Sequence, residues 1–282
     1  MLSAVYIVIF VFVFAIGSVV GSFLNVLIYR LPLKLDFVKG SSFCPHCKHK
    51  LGALDLVPVL SYLFLGRRCR YCKEPISPRY MLVELLGGTA ALLSYAAFLP
   101  PVAFSSQPIM GSAPALDVLP TNPWALAAAT LYFLVLCILI SISFIDADIQ
   151  EIPNSLVIAL LILGVLSLLV GPQIPLLSRG IGFVAVSLPF LLLTLAIPGA
   201  FGGGDIKLMA AAGFLLGWQN VVLATFISFL LGGSWGIYLL ALKKKGRKEH
   251  FAFGPALCVG IAVALFFGAP LISWYLSFYG LG

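Results

Sequence analysis

The feature that most constrains this chain is a recurrence of apolar runs near membrane-spanning length. The first, LSAVYIVIFVFVFAIGSVVGSFLNVLIY, contains no charged residue. A helix needs about 20 predominantly apolar residues to cross a bilayer. Such runs recur at residues 3–29, 80–99, 123–145, 152–170, 180–198, 205–217, 220–242 and 254–277. The pattern predicts an all-α polytopic membrane protein with about eight transmembrane helices. A soluble domain is excluded, because 61% of the 282 residues are hydrophobic and only 10% are charged. The first run lacks a basic flank before it and reads as a true span, not a cleaved signal peptide.

The formal charge of +7 is explained by topology and gives no reason to expect a nucleic-acid partner. Ten of the 17 Lys and Arg lie between Arg30 and Arg79, and five more lie in KKKGRK, Lys243–Lys248. The stretch from Pro100 to Asn122 has none. Basic loops stay on the cytoplasmic side, so the first two segments are expected inside and the third outside. That assignment requires residues 205–217 to cross, although the run is short. Without it, the Lys243–Lys248 cluster would fall on the outer side. The sixth span is therefore expected to be short, broken or locally thinned, and both termini to lie outside. Three regions follow: a first helix at 1–29, a cytoplasmic insert at 30–79 and a membrane-embedded core at 80–282.

The insert is too small to bury much apolar surface, so a staple is expected. Its sequence offers CPHC at 44–47 and CRYC at 69–72. Two C-x-x-C pairs give four thiolates at the spacing of a structural zinc site, here Cys44, Cys47, Cys69 and Cys72. Two disulfides are the alternative, and a cytosolic location weighs against them. His46 and His49 read as solvated loop residues beside complete cysteine pairs. Lys48, Arg67, Arg68 and Arg70 are expected to lower the thiol pKa values. Cys137 and Cys258 lie in apolar runs and read as packing residues.

Carboxylates within or bordering spans are costly and point to function. Glu84 lies early in the second span. Asp146, Asp148 and Glu151 close the third, in FIDADIQEIPN. Asp205 opens the sixth, in FGGGDIKLM. Asp148 and Glu151 suit a wetted turn before a helix that starts near Pro153. An N-terminal acid favoured by the helix dipole would account for Asp205, but not for Gly202, Gly203 and Gly204, which permit close approach of backbone or substrate. Asp146 and Asp205 are predicted at one membrane face. Two neighbouring carboxylates do not both ionise cheaply, so one keeps its proton and the pair can serve as base and acid for peptide hydrolysis. Asp205 is expected to be catalytic in preference to a cap, Gly204 to admit substrate, and Lys207 to snorkel or anchor a phosphate at the interface.

GSFLNVLIYRLP at 21–32, the paired C-x-x-C, PISPRYMLVELLGG at 75–88, IDADIQEIPN at 145–154 and FGGGDIKLMAAAG at 201–213 together resemble the type IV prepilin peptidases. The resemblance implies an enzyme of the bacterial inner membrane with Asp146 and Asp205 as its two catalytic aspartates. It also implies a Cys44, Cys47, Cys69, Cys72 zinc tetrad. Prepilins or type II secretion pseudopilins would be cut after a Gly at the cytoplasmic face. The new N-terminal residue, usually Phe, would then be N-methylated from S-adenosylmethionine. No glycine fingerprint of a nucleotide fold is present, so the methyl-donor residues are not assigned; Glu84 and the basic insert are candidates. Two other readings stay open: a GxGD intramembrane protease with a different substrate, and a membrane transporter or scaffold.

Overall fold

The computed structural model describes residues 2–36, 42–98, 123–170, 174–241 and 252–280. The 100–122 loop and the Lys243–Lys248 cluster lie outside the described residues. Among the described residues, ten α-helices and one 3-10 turn run in the order α1 (Leu2–Arg30), the turn Ala53–Asp55, α2 (Leu60–Phe64), α3 (Pro78–Phe98), α4 (Pro123–Ile149), α5 (Asn154–Val170), α6 (Leu176–Ala185), α7 (Ser187–Ala196), α8 (Gly203–Leu216), α9 (Trp218–Ala241) and α10 (Gly254–Ser277). No strand forms among the described residues beyond two isolated bridges, Phe43 with Lys50 and Arg68 with Pro75. The protein is an all-α multi-pass membrane protein. Among the described residues, six segments are long and apolar enough to cross a bilayer: most of α1, then α3, α4, the α6–α7 pair, most of α9, and α10. Proline stands at or beside several helix starts, at Pro78, Pro123, Pro153, Pro175 and Pro255, where a missing amide costs nothing.

The chain divides into two compact units, Met1–Cys137 and Ile138–Gly282, with the boundary inside α4. In the first unit α1 packs along α3. The seam is made of small residues. A methyl added to Gly87 would meet the Gly17 carbonyl at 2.6 Å and the Gly21 Cα at 2.8 Å. With no hydrophobic force between helices in lipid, such close backbone approach supplies the packing.

In the second unit α8 is the centre and touches α5, α6, α7, α9 and α10. With 14 residues it is about 21 Å long, short of a bilayer core of about 30 Å. Leu208 through Gly213, Leu215 and Leu216 are all buried. Gly182 of α6 and Gly213 of α8 bring their backbones into contact, leaving no room for a side chain at either position. The expected sixth span thus forms one short, unbroken helix that is not among the six segments long and apolar enough to cross, and the expected fourth, Asn154–Val170, is a shorter apolar helix. The break falls in the fifth, where the sequence pattern suggests continuity. Pro189 explains it: its ring clashes with the carbonyl four residues back, that of Ala185, where α6 ends.

Arg179 of α6 is only 1% exposed. Its Nη1 donates to Ser167 Oγ at 2.8 Å, and to the carbonyls of Phe214 at 3.2 Å and Leu215 at 3.4 Å. The last carbonyls of a helix have no intrahelical partner and carry its negative dipole end. Arg179 therefore satisfies the C-terminus of α8 within the packed interior. Replacing it leaves those carbonyls unpaired, at about 1–3 kcal/mol each. Arg179→Met is expected to lower the melting temperature of the purified protein clearly. An unchanged melting curve would show that the contact is dispensable.

Candidate functional site

Asp146 sits on the last turn of α4 and is 5% exposed. Its Oδ2 accepts the Gly254 amide at 2.9 Å. Gly254 opens α10, so the carboxylate meets the positive end of that helix. The turn that follows Asp146 is sharp: Gln150 takes a left-handed φ of 55° and donates its amide to the Asp146 carbonyl at 2.9 Å. Asp205 lies in the first turn of α8, half-buried, and its Oδ2 accepts the Gly202 amide at 3.2 Å. The two acids are electrostatic neighbours. Each engages a single glycine amide and leaves its Oδ1 without a hydrogen bond among the described residues. Asp148 and Glu151 are exposed on the same turn.

Three sequence expectations change here. Asp205 does cap α8, through one oxygen, so capping and chemistry are not alternatives for this residue. Gly204 does not face open space. A methyl there would lie 2.8 Å from Ile152 Cβ, so its missing side chain lets α8 seat against the α4–α5 connection. Gly203 has nothing within 4 Å of that position and is the open glycine of the three. Lys207 donates to Asn154 Oδ1 at 3.1 Å, tying α8 to the start of α5.

Sequence reasoning missed Gly254 and an aromatic cluster. Phe201 stacks on Phe190 at 4.0 Å between centroids, with an interplanar angle of 4°. Phe253 lies 6.1 Å from Phe201 and 5.6 Å from Phe229. Phe201 precedes Gly202 and Phe253 precedes Gly254, so the rings join the two segments that donate to the two acids. The repeated Phe-Gly dipeptide was the available signal, but which glycine faces which acid is a long-range fact.

In the first unit the four thiols of Cys44, Cys47, Cys69 and Cys72 lie within 4.8 Å of one another. Both pairs use one local design. The Cys44 amide donates to the His49 carbonyl at 3.0 Å, and the Cys69 amide to the Glu74 carbonyl at 2.9 Å. Lys48 and Lys73, each just after its pair, take φ of 59° and 63°. The amide of Cys72, with that of Tyr71, overcomes burial and holds the Cys69 thiol down to about 7. For Cys72 the Glu74 amide pulls down, but desolvation and the neighbouring thiols push it up to about 12. Four thiols this close resist joint ionisation, which a bound cation relieves. The basic side chains contribute less than expected. Arg70 Nε instead pairs with Asp55 Oδ1 at 2.6 Å, and Lys48 sits 5.3 Å over the Phe43 ring. His49 is not merely solvated, because its ring stacks on Tyr71 at 3.7 Å, and the Tyr71 hydroxyl donates to Asp55 at 3.1 Å. Asp55 therefore braces the second cysteine pair, and its carboxyl is held below the usual range: burial opposes, but the Gly52 amide and Arg70 prevail. Glu84 pairs with a backbone amide, accepting Val59 N–H at 2.7 Å.

A family model described as Bacterial Peptidase A24 N-terminal domain matches residues 15–98, and one described as Type IV leader peptidase family matches residues 133–237. A protein of Aeromonas hydrophila named Prepilin leader peptidase/N-methyltransferase is 34% identical, covering 95% of this chain and 94% of its own. Proteins of the same name from Legionella pneumophila and Pseudomonas aeruginosa are each 32% identical, over 92% and 94% of this chain and 92% of their own in both cases. No solved structure matches the chain.

The seat of Gly204 against Ile152 gives a test. Gly204→Val is expected to push α8 off the α4–α5 connection and destabilise the protein by about 1–3 kcal/mol, as overpacking does. A melting temperature equal to that of the parent would show that this seam can open without cost.

Proposed function

The chain belongs to the type IV leader peptidase family, and we propose that it cleaves the leader from prepilins or pseudopilins and then N-methylates the new terminus. The pairing of Asp146 with Asp205 carries the peptidase half. One carboxylate, ionised, accepts a proton from a water that attacks the scissile carbonyl. The other, protonated, gives its proton to the carbonyl oxygen; as the C–N bond breaks, the first acid passes the proton it took from water to the leaving amine, and the hydroxyl of the tetrahedral intermediate returns a proton to the second acid. The glycine amides fix one oxygen of each acid, which leaves the Oδ1 atoms as the proton-exchanging pair. Both acids stand where α4 ends and α8 begins. By the placement of basic segments that is the cytoplasmic side of a bacterial inner membrane. Cleavage after a glycine, with Phe at the new terminus, is the junction we propose to test.

The Cys44, Cys47, Cys69, Cys72 cluster fits a structural zinc ion. Tetrahedral coordination at about 2.3 Å places sulfurs about 3.8 Å apart, and the Cys44 and Cys72 sulfurs lie 3.9 Å apart. Zinc bound there would staple the 30–79 insert, to which we assign methylation with S-adenosylmethionine as donor, while residues within 80–282 carry cleavage.

Two measurements test this reading. Asp146→Asn and Asp205→Asn should each lower cleavage of a Gly-Phe pseudopilin by several orders of magnitude, while Asp148→Asn stays near the parent. A purely capping Asp205 predicts a nearly silent Asp205→Asn, since Asn caps as well and the cap contributes only about 0.5–2 kcal/mol. Purified protein should also carry about one zinc per chain, lost in Cys69→Ser. Metal analysis without zinc, or with full retention by Cys69→Ser, would remove the staple from the account.

A further inference from the structure

The first unit holds a cavity of about 400 Å³ between α1, α3 and the cysteine insert. That volume lies within the range of cavities that enclose small-molecule cofactors. Ser22, Asn25, Tyr29 and Arg30 line it from α1, Tyr80 and Glu84 from α3. The Asn25 amide nitrogen donates to the Tyr80 carbonyl at 3.1 Å, tying the two walls together.

Glu84 is distinctive among the acids on the wall. Asp55 is already paired with Arg70, and Glu74 is exposed to water. Glu84 is half-buried and engages one backbone amide, that of Val59, through Oε2. Val59 is itself unusual. It has φ 62° and ψ −51°, and the Leu60 amide reaches back to the Pro58 carbonyl at 2.6 Å. That is a γ-turn of the rarer, strained hand, centred on a β-branched residue. Such strain persists where surrounding structure holds it, and it clusters at binding sites. Here Glu84 does the holding, and the turn fixes the direction of its carboxylate.

We propose that this cavity binds S-adenosylmethionine, with Glu84 facing the sulfonium. The inference rests on the methylating function proposed above and names the site for it. The ligand combines a permanent cation, a carboxylate and a flat adenine. The wall offers a half-buried carboxylate for the first, the Arg30 guanidinium, which also donates to the Asp36 carbonyl at 2.9 Å, for the second and the rings of Tyr29, Tyr62 and Tyr80 for the third. No glycine-rich strand-to-helix turn is needed, which accounts for the lack of a nucleotide fingerprint in the sequence.

The test is calorimetric titration of the full chain in lipid nanodiscs with S-adenosylmethionine and, separately, with S-adenosylhomocysteine, whose sulfur is neutral. Glu84→Gln keeps an acceptor for the Val59 amide and removes only the charge. It should weaken S-adenosylmethionine by at least about tenfold, while the neutral product shifts by no more than about twofold. Ser22→Phe fills the cavity and should abolish binding of both. Zinc content serves as the check that each variant is folded. Undiminished binding by both variants would overturn the site while leaving methylation elsewhere in the protein possible. Equal losses of both ligands in Glu84→Gln would overturn the role of its charge. A parent protein that binds neither ligand in nanodiscs, with a lipid headgroup holding the cavity, would overturn the site. If it also failed to methylate, the methylating function would fall with it.

Discussion

A 14-residue helix cannot face hydrocarbon at both ends, because unpaired backbone groups are too costly there. The second unit is arranged around that constraint. Five helices enclose α8, so its length need not match the bilayer. Its C-terminal carbonyls are met by Arg179, a cation brought in by the half-helix α6. Its N-terminal amides meet a carboxylate of its own, Asp205, which bonds the Gly202 amide. The broken α6–α7 span and the buried arginine are therefore part of one solution. The Pro189 break ends α6 one turn beyond Gly182, whose backbone touches α8.

The same arrangement places two acids. Asp146 and Asp205 come from two helices, one near its end and one near its start. Each is held by an amide from a Phe-Gly dipeptide, and the Phe201 and Phe253 rings meet in one cluster with Phe190 and Phe229. Aromatic pairs contribute about 0.5–1.5 kcal/mol beyond their burial. That suffices to keep two loops in register, which is the requirement when a proton must pass between groups at fixed separation.

Much of the fold was legible because hydropathy is summed over many residues and survives local error. The long spans rest on patterns of that kind, the cysteine tetrad on the spacing of two C-x-x-C pairs, and family membership on motifs in order. Loop charge argues that residues 205–217 cross despite their shortness, and the structure makes them a 14-residue helix. What escaped was either single-residue or long-range. Pro189 was visible but was overruled by the apolar run around it. The partners of Arg179 lie in α5 and α8, and no pattern within its own helix signals them. Gly204 was correctly seen as a close approach but was given the wrong partner, since Ile152 lies 52 positions away and nothing local names it. Val59 carries no turn signal, because its geometry is imposed by Glu84 from another helix.

Those misses share a physical origin. In lipid the hydrophobic effect fixes which segments are buried in the bilayer but not which face meets which neighbour, because hydrocarbon and leucine are equivalent. The choice passes to sparse features: glycine seams at Gly17, Gly21 and Gly87, the Gly182–Gly213 contact, and a few polar side chains that find a backbone group. Such features cost little to encode and leave no periodic trace. Each polar residue must then do more than one thing. Asp205 caps α8 with one oxygen and keeps the other unengaged; Asp146 meets the start of α10 in the same way; Glu84 holds a strained turn with Oε2. A carboxylate that is half committed to the backbone is both oriented and still reactive. In the function proposed here, that condition lets a few acids beside the bilayer serve as chemistry and as structure at once.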